Sequence, residues 1–559
     1  MPTLNWIGKD KVISHHQDVP YRVLEHKYGF TAKEGEQTEP TQSGNKIIHG
    51  DNLEALKSLL PEYEGKVKCI YIDPPYNTGN EGWTYNDNVN HPKIKKWLDE
   101  TLKAKEQDKV ASIGVDDLTR HDKWLCMMYP RLKLLHKLLQ ENGVIFISID
   151  DHELAHLRLL MDEIFGRNNF IEYFCWTKTS TPPSLANKSR KTVEYIVCFE
   201  KRKDNLKYNA ELSDGGDAPL LNSGNPSAKI LFPKDKVYFK LPNGKYKKGQ
   251  YEKAYLHNDI ILTDGYANID FELTAEFKWV QNTVTNEIEK GTEFIIKSDK
   301  FSIRFLRTTK TFKAPTNLFK EKYLSTTINK NEDNVDTNEG AKKVLKEIFG
   351  KNIFDYPKPY SLIEFLLKIG SEKDSIILDS FSGSGTTAHA VLNLNKKDGG
   401  NRKFIMVEME DYANDITAER VKRVAKGYGK ENKKVKGTGG EFDFYELGFP
   451  LFDKNQNLNE QVEEDKIREY IWFSETRTPY SETNQTEDSS YFLGKKDDSV
   501  YYFIYKKNKL TTLDFDALEL IKTKGEQYVI YADNCLLPKD FMAKNNIIFK
   551  KIPRDITRF

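Results

Sequence analysis

Six short apolar runs rich in β-branched residues, each carrying an acid at or near its end, most constrain the fold of this 559-residue chain. Uninterrupted apolar runs of this kind are typical of strands buried on both faces of a parallel sheet. Helical periodicity lies between several of them, as in 123–143 and 152–166. The alternation predicts a doubly wound α/β sheet. The runs are KIIHGD (46–51), VKCIYID (67–73), GVIFISID (143–150), VEYIVCFE (193–200), SIILDSF (375–381) and KFIMVE (403–408).

This alternation stops after residue 200 and resumes near residue 346. The segment between is charged and aromatic, and its LPNGK (241–245) is typical of a hairpin turn, which predicts an inserted domain that is mainly β or α+β. A glycine- and lysine-rich stretch then precedes a last segment of short strands and polar loops. We therefore expect four regions, with bounds 1–200, 201–345, 346–435 and 436–559.

Composition narrows the class of protein. The chain is too long for one hydrophobic core, and its 38% apolar and 30% charged residues predict a soluble globular protein. The five cysteines are far apart and form no CxxC pair, which argues against disulfides and a zinc site and favours the cytoplasm. No signal peptide or membrane span is evident. With 85 basic and 84 acidic residues, net charge says nothing about a nucleic-acid partner.

A glycine-rich turn follows the run that ends at Asp379. In ILDSFSGSGTT (377–387), Gly383 and Gly385 permit close approach of the backbone to a ligand, and Thr386 opens a helix whose N-terminus faces the strand ends. A P-loop would need a lysine after the second glycine, and the spacing is not GxGxxG. The acid favours a cationic or hydroxyl-bearing ligand over a phosphate. A tight turn without a ligand remains the alternative.

The next run ends in Glu408, where a carboxylate can accept hydrogen bonds from both hydroxyls of a ribose. Together with Asp379, it predicts an adenosine ligand with a positively charged tail. S-adenosylmethionine fits that description.

The run CIYIDPPYNTG (69–79) ends its strand in an acid, two prolines and a tyrosine. The prolines extend the chain and remove two backbone donors. The Asp73 carboxylate and the Pro74 carbonyl could then accept the two N–H groups of an exocyclic amine, while Tyr76 stacks on the base. Alternatively, Asp73, Pro74 and Pro75 only form a turn that caps a buried strand.

DPPYNTG together with LDSFSGSGTTAHAV resembles the amino-methyltransferases that modify adenine N6 or cytosine N4 in DNA. Because the catalytic motif precedes the cofactor motif, the chain is similar to their circularly permuted beta class. The resemblance implies a seven-stranded sheet. The runs at 375, 403, 46, 67 and 143 would be its first to fifth strands, the run at 193 its antiparallel seventh, and 172–177 a candidate sixth. The first and fourth strands would then be neighbours, which brings both motifs to one cleft.

Further segments, including HGDNLEALKSLLPEY and YPKPYSLIEFLLKIG, resemble the Mod subunit of Type III restriction-modification systems. This resemblance implies a target recognition domain in 201–345, double-stranded DNA as substrate, a homodimer and a Res-type helicase-nuclease partner. Ser380 and Ser382 replace the Phe and Ala of many relatives. The cofactor contacts that we expect are Asp51, Asp73, Lys358, Pro359, Asp379, Phe381, Gly383, Ser384, Gly385, Thr386, Thr387 and Glu408, and the catalytic residues are Asp73, Pro74, Pro75 and Tyr76.

The predicted reaction is direct methyl transfer from S-adenosylmethionine to N6 of an adenine flipped out of the duplex, with no metal. An acid at the first motif position is more typical of adenine enzymes than of cytosine-N4 enzymes. Alternatives are a cytosine-N4 methyltransferase, an enzyme acting on RNA or a protein amide, and a non-catalytic DNA-binding subunit.

Lysines interleaved with aromatic residues between 229 and 253 predict a phosphate-binding ribbon in the inserted domain. A solvated hairpin surface is the alternative. The predicted DNA contacts are Lys234, Lys236, Lys240, Lys245, Lys247 and Lys248.

Overall fold

The computed structural model describes residues 4–78, 115–181, 190–204, 217–307, 326–429, 434–480 and 491–557. Residues 217–307 form one compact unit, and the other described residues form a second, larger one. Across these ranges, no helix combines the length and apolar character needed to cross a membrane.

The larger unit is built on one mixed sheet of eleven strands, in the order β8-β6-β7-β5-β4-β9-β10-β3-β11-β1-β2. From β3 to β5 neighbouring strands run parallel, whereas β7 is antiparallel to both β5 and β6. The strands are β1 (Arg22–Thr31), β2 (Gly35–Gln37), β3 (Lys46–His49), β4 (Val67–Ile72), β5 (Leu139–Ile149), β6 (Phe170–Thr177), β7 (Val193–Glu200), β8 (Thr327–Ile328), β9 (Ile376–Asp379), β10 (Lys403–Glu408) and β11 (Glu441–Pro450).

All six apolar runs form strands of this sheet, and the candidate sixth strand at 172–177 lies within β6. The predicted mixed α/β architecture is therefore confirmed, including the direct pairing of β9 with β4. Every residue of β4 is buried, as expected for a central strand covered on both faces.

The sheet is larger than the seven strands that the resemblance implied. Strand β11, which follows the cofactor motif, pairs parallel with β3, and the first strand, β1, pairs antiparallel with β11. An open edge at β3 would leave a row of backbone donors and acceptors unpaired, and these two strands cover it. Residues from both ends of the chain thus extend the same sheet.

Helices cover the sheet and contribute apolar side chains to its core. Asp51 caps the first of the long helices through its side chain, and a single glycine, Gly385, precedes the helix that follows β9. The helices of this part are Lys9–Val12, His15–Asp18, Asn52–Tyr63, Val115–Leu138, Leu154–Met161, Lys330–Asp333, Asn338–Phe349, Tyr360–Gly370, Thr386–Asp398 and Glu419–Lys426.

Residues 326–345 belong to the larger unit, although we expected the insertion to continue to residue 345. The reason is the pairing of β8 with β6, which ties this stretch to the main sheet. The end of the chain adds a four-stranded sheet with its own apolar cluster, an α+β arrangement within the larger unit. Its elements are the helices Glu464–Thr476, Phe515–Leu518 and Lys539–Lys544 and the strands Phe492–Lys496, Ser499–Phe503, Gln527–Ala532 and Ile547–Lys551.

The smaller unit consists of short strands and one helix, Gln281–Glu289, around a separate apolar core. The LPNGK segment does not form the predicted hairpin. Strand Val237–Phe239 pairs with Glu293–Ile296, and Gly244–Tyr246 pairs with Ile260–Thr263, so the turn joins two different sheets. The remaining strands are Ala218–Pro219, Ala228–Phe232, Gly249–Gln250, Tyr255–Leu256, Tyr266–Ala267, Phe271–Ala275 and Ile303–Leu306.

Candidate active site

Four acids lie at the carboxyl ends of adjacent parallel strands. Asp379 and Glu408 close β9 and β10, while Asp51 and Asp73 follow β3 and β4. Strand register aligns these ends, since Ile70 pairs with Leu378, Met406 with Asp379, and His49 with Glu408. The carboxyl edge of an open α/β sheet is where such folds bind ligands. The structure thus brings both predicted motifs to one edge.

Asp73 forms an ion pair with Lys358, a residue 285 positions later in the chain. The Lys358 ammonium lies 2.9 Å from each Asp73 carboxylate oxygen, and the lysine side chain is only 8% exposed. Burial raises the pKa of Asp73 above its usual value, and Lys358 opposes that rise. The same ammonium lies 4.8 Å from the centre of the Tyr76 ring, a cation–π distance. Lys358 therefore touches both ends of the Asp-Pro-Pro-Tyr motif.

Glu194, on β7, holds the tyrosine of this motif. The Tyr76 hydroxyl donates to Glu194 Oε2 at 3.1 Å, and Lys178 Nζ donates to Glu194 Oε1 at 3.1 Å. Lys358 Nζ is 3.4 Å from Glu194 Oε2. Although burial disfavours the charged form, the two lysines hold the pKa of Glu194 below its usual value. This carboxylate lies outside both sequence motifs, and only its position in a strand run marks it in the sequence.

The prolines have different environments. Pro74 is buried and Pro75 is half-buried, and the Pro75 carbonyl accepts a hydrogen bond from Trp124 Nε1 at 2.8 Å. Trp124 is fully buried in the helix Val115–Leu138. The tryptophan thus anchors the extended backbone that carries Asp73 and Tyr76.

A second network lies beyond Tyr76. Asn77, in a left-handed conformation (φ 60°), donates to Glu153, and this fully buried carboxylate also contacts His121 and His156. The side chains of His121, Glu153 and His156 are close enough to one another to hold a metal ion. However, the Nδ1–Oε distances of 2.6 and 2.9 Å are hydrogen-bond distances, shorter than the ~3.3 Å expected between two ligands of a tetrahedral zinc. The sequence motifs do not reveal this cluster, although the i,i+3 spacing of Glu153 and His156 was an available signal.

The glycine loop, residues 380–385, depends on the conformational freedom of two glycines. Gly383 and Gly385 have φ values of 49° and 78°, and a Cβ atom at Gly385 would lie 2.9 Å from the Thr417 carbonyl oxygen. The Thr417 hydroxyl donates to the Gly383 carbonyl at 2.6 Å. Only glycine fits this close contact without strain.

Neutral donors satisfy the two acids beside this loop. Asp379 accepts from the Thr387 hydroxyl and, at 3.0 Å, from the Phe381 backbone N–H. Glu408 accepts from the Gly383 N–H at 2.6 Å. Burial raises the pKa of both carboxyls to about 7, and these hydrogen bonds only partly oppose it. Bringing a cation or a hydroxyl-bearing ligand to this edge would favour the charged forms.

Arg420 is a site residue that the sequence motifs do not reveal. Its buried guanidinium donates to the Ser384 and Thr386 hydroxyls, each at 2.8 Å, which occupies these two predicted contacts with internal hydrogen bonds. Phe381 packs against the main apolar core. These side chains therefore shape the glycine loop from inside.

Asp51 acts as a helix N-cap, since its Oδ1 accepts the backbone N–H groups of Leu53 and Glu54 at 2.9 and 3.1 Å. Pro359 precedes the helix Tyr360–Gly370 directly and places Lys358 at its start. Contact of either residue with a cofactor stays a prediction.

Two aromatic residues missed by the sequence analysis lie beside the glycine loop. The rings of Phe354 and Tyr412 meet edge to face with centroids 5.4 Å apart, and a Cβ atom at Gly383 would lie 4.0 Å from Phe354. Burial, and after it the charge of the neighbouring Glu408, raises the pKa of Tyr412. The rings of Phe354 and Tyr412 thus lie next to Glu408, the acid at the end of β10.

The six lysines predicted to contact DNA are all exposed in the smaller unit. Lys236 pairs with Asp235 and Lys245 with Asp259, each at 2.9 Å, so part of the positive charge is offset. DNA contact by these lysines stays a prediction.

Comparisons with known proteins relate this chain to DNA methylases. The DNA methylase family model N6_N4_Mtase matches residues 67–419. The StyLTI Mod subunit of a Type III restriction-modification enzyme from Salmonella typhimurium is 30% identical over 69% of this chain and 58% of its own length. The EcoPI Mod subunit from Escherichia phage P1 is 31% identical over 76% of this chain and 68% of its own length.

Among solved structures, the M1.HpyAVI–SAM complex covers 67% of this chain and 98% of its own, with 15% identity and a TM-score of 0.29. The part of this chain that matches covers 58% of the StyLTI Mod subunit and 68% of the EcoPI Mod subunit. The family model extends from β4 through the glycine loop to the start of the helix Glu419–Lys426, so it includes both halves of the site. The chain belongs to the DNA methylase family.

Proposed function

We propose that this chain transfers a methyl group from S-adenosylmethionine to N6 of an adenine flipped out of duplex DNA, as the modification subunit of a Type III restriction-modification system. The observation that carries the proposal is the pairing of β4 with β9, which places the Asp-Pro-Pro-Tyr motif beside the glycine loop. Similarity to Mod subunits over most of the chain supports the Type III assignment.

The residues at the glycine loop fit this cofactor. Glu408 would accept the ribose hydroxyls, and Phe354 and Tyr412 would pack against the adenine ring. Asp379 supplies negative charge near the loop, and Lys358 lies where the carboxylate of the methionine end could pair with it. When bound, S-adenosylmethionine supplies a methyl group activated by its sulfonium. The raised pKa values of Asp379 and Glu408 indicate two carboxyls that a cationic, hydroxyl-bearing ligand would favour in their charged forms.

The protein's part in the reaction is to hold and polarise the target amine. Asp73 and the Pro74 carbonyl accept the two N–H groups, and Tyr76 stacks on the base, with its hydroxyl held by Glu194. Two acceptors draw the N6 lone pair away from the ring and towards the methyl group. The held amine would form its new bond to the methyl carbon as the carbon–sulfur bond breaks, leaving a neutral thioether, and the extra amine proton would then leave to solvent. Positioning of this kind supplies much of the rate enhancement without a covalent intermediate.

Adenine is favoured over cytosine because an acid occupies position 73. The order of the two motifs along the chain supports the circularly permuted beta class. We assign sequence recognition to the smaller unit, which has its own apolar core and exposed lysines on its surface. We also expect the chain to form a homodimer that pairs with a Res-type helicase-nuclease. A cytosine-N4 enzyme is the second candidate, since the matching family model covers both chemistries.

Base-resolution mapping of methylated bases in cells with and without this gene tests the proposal. N6-methyladenine at one short sequence, lost on deletion, is the expected result. N4-methylcytosine at that sequence would support the second candidate. An unchanged methylation pattern, with no labelled methyl transfer to unmethylated genomic DNA by the purified chain, would overturn both.

A further inference from the structure

Lys358 stands between two carboxylates of the active site. Its ammonium is 2.9 Å from both oxygens of Asp73 and 3.4 Å from Glu194 Oε2. The lysine and Glu194 are both buried, at 8% and 5% exposure. The Lys358 ammonium therefore has two anionic partners within salt-bridge distance. It lies closer to Asp73, the carboxylate that we propose contacts the target base.

This arrangement conflicts with the task proposed for Asp73. Each carboxylate oxygen has two lone pairs, but the ammonium contacts both Asp73 oxygens and draws electron density from them, which weakens this carboxylate as an acceptor for the amine. A shift of Lys358 away from Asp73 when the base enters would restore the strength of that acceptor. A buried ammonium that lost its partner would be strongly destabilised, so it needs a second acceptor within reach.

Glu194 is suited to be that acceptor. Its Oε1 is held by Lys178 and its Oε2 by the Tyr76 hydroxyl, so the carboxylate is fixed in place before Lys358 moves. Glu194 Oε2 is already 3.4 Å from the ammonium, so a small shift of the flexible lysine side chain would bring the two into closer contact. The Lys358 ammonium also lies over the Tyr76 ring, so the shift would keep it against the same aromatic face.

We propose that Glu194 is a positioning residue that takes the Lys358 ammonium from Asp73 when the target base enters, which frees Asp73 to accept the amine. The inference rests on the proposed methyl transfer and adds a role to a strand residue outside both motifs. In this proposal, Glu194 affects the reaction through Lys358 and not through Tyr76, whose hydroxyl it also accepts.

A double-mutant cycle separates these two routes. Glu194→Gln keeps the shape of the side chain and removes its charge, so Lys358 stays on Asp73. We expect single-turnover methyl transfer to fall about tenfold while the cofactor dissociation constant changes by less than about threefold. In a Lys358→Met background the same substitution should change the rate by less than about twofold. In a Tyr76→Phe background, which removes the hydroxyl and its interactions with Glu194 and Asp73, the loss should remain about tenfold.

The cycle also defines the results that would overturn the inference. An equal loss in all three backgrounds would mean that Glu194 has only a structural role. A loss abolished by Tyr76→Phe, but not by Lys358→Met, would assign its effect to the tyrosine.

A stability measurement tests the Lys358 contact without any activity. In the wild type, Asp73 still pairs with Lys358 when Glu194 is neutralised, whereas in Asp73→Asn Glu194 is the remaining carboxylate for it. Glu194→Gln should therefore lower the melting temperature more in the Asp73→Asn protein than in the wild type. An equal or smaller decrease would contradict the hand-over. If the wild type transfers no methyl group to any DNA, the proposed function fails, while this measurement still decides whether Glu194 receives Lys358.

Discussion

The active site has two acidic sides, one at the end of β4 and one at the ends of β9 and β10, and they balance that acidity in different ways. At the β4 end, the charge of Asp73 is met by a buried cation, Lys358. At the β9 and β10 ends, Asp379 and Glu408 are met by hydroxyl and backbone N–H donors, and burial raises the pKa of both to about 7. The first side has its own buried counter-ion, whereas the acids of the second side accept hydrogen bonds from neutral donors.

Removing the charge at the first end should have the largest effect. Asp73→Asn keeps the shape of the side chain but weakens its acceptance from the amine, and we expect kcat to fall by about a thousandfold, equivalent to ~4 kcal/mol of transition-state stabilisation. Cofactor affinity, measured by calorimetry, should change only a few-fold. The matched control is Asp374→Asn at an exposed acid. Near-normal turnover of Asp73→Asn with labelled cofactor would remove Asp73 from the reaction.

At the second end, the loop backbone can be tested with a pair of glycines. Gly385 and Gly399 both have positive φ values, of 78° and 68°, but a Cβ atom meets the Thr417 carbonyl only at Gly385, at 2.9 Å, and open space at Gly399. Gly385→Ala should weaken cofactor binding by about tenfold or more, whereas Gly399→Ala should cost only the ~1 kcal/mol of a left-handed alanine in stability. Equal cofactor dissociation constants for the two variants would show that the loop does not form the cofactor site.

The contrast in charge balance predicts a pH dependence of cofactor binding. If Glu408 must be ionised to accept ribose hydroxyls, a pKa of about 7 means that affinity rises by about tenfold between pH 6 and pH 8. The ligand-free fold shows the opposite trend. Because the pKa is raised from 4.5, neutral Glu408 favours folding, and that contribution is lost as pH rises from 4.5 to about 7.

Calorimetry across this pH range, with Glu408→Gln as the comparison, tests the assignment. The variant should bind more weakly at pH 8 and depend less on pH, with Asp379 left as the second titrating group. An affinity that is equal at pH 6 and pH 8 in the wild type would contradict the proposed role of Glu408.

The smallest effect is expected away from both strand ends, at the lysines of the smaller unit. Replacing Lys245 and Lys247 by Gln should weaken DNA binding several-fold and reduce the slope of log affinity against log salt by about two. The control is Lys507→Gln with Lys509→Gln, at exposed lysines of the C-terminal region. If both pairs change the salt slope equally, or neither does, the lysines of the smaller unit do not form a specific phosphate contact.

The strands of the central sheet could be predicted because their signals are local. Each apolar run forms a strand, and the two motifs fall at strand ends where a short stretch of sequence sets the backbone. The LPNGK turn shows the limit of local information. Its residues favour a tight turn. However, the strand Gly244–Tyr246 pairs with Ile260–Thr263 and not with the strand before the turn, because packing in the core of the smaller unit decides the partner.

The sequence alone determined the class of sheet, the two motifs and the family that they resemble, because burial periodicity, glycine freedom and proline geometry act within a few residues. Only the tertiary structure decided that β1 and β11 extend the sheet and that Arg420 supports the glycine loop. It also decided that Asp73 and Glu194 share the Lys358 ammonium. The pairing of β1 with β11 and the contacts of Lys358 join residues more than a hundred positions apart, and Arg420 lies 34 to 36 positions from the hydroxyls that it binds. Their partners depend on which strands become neighbours, and no local pattern records that.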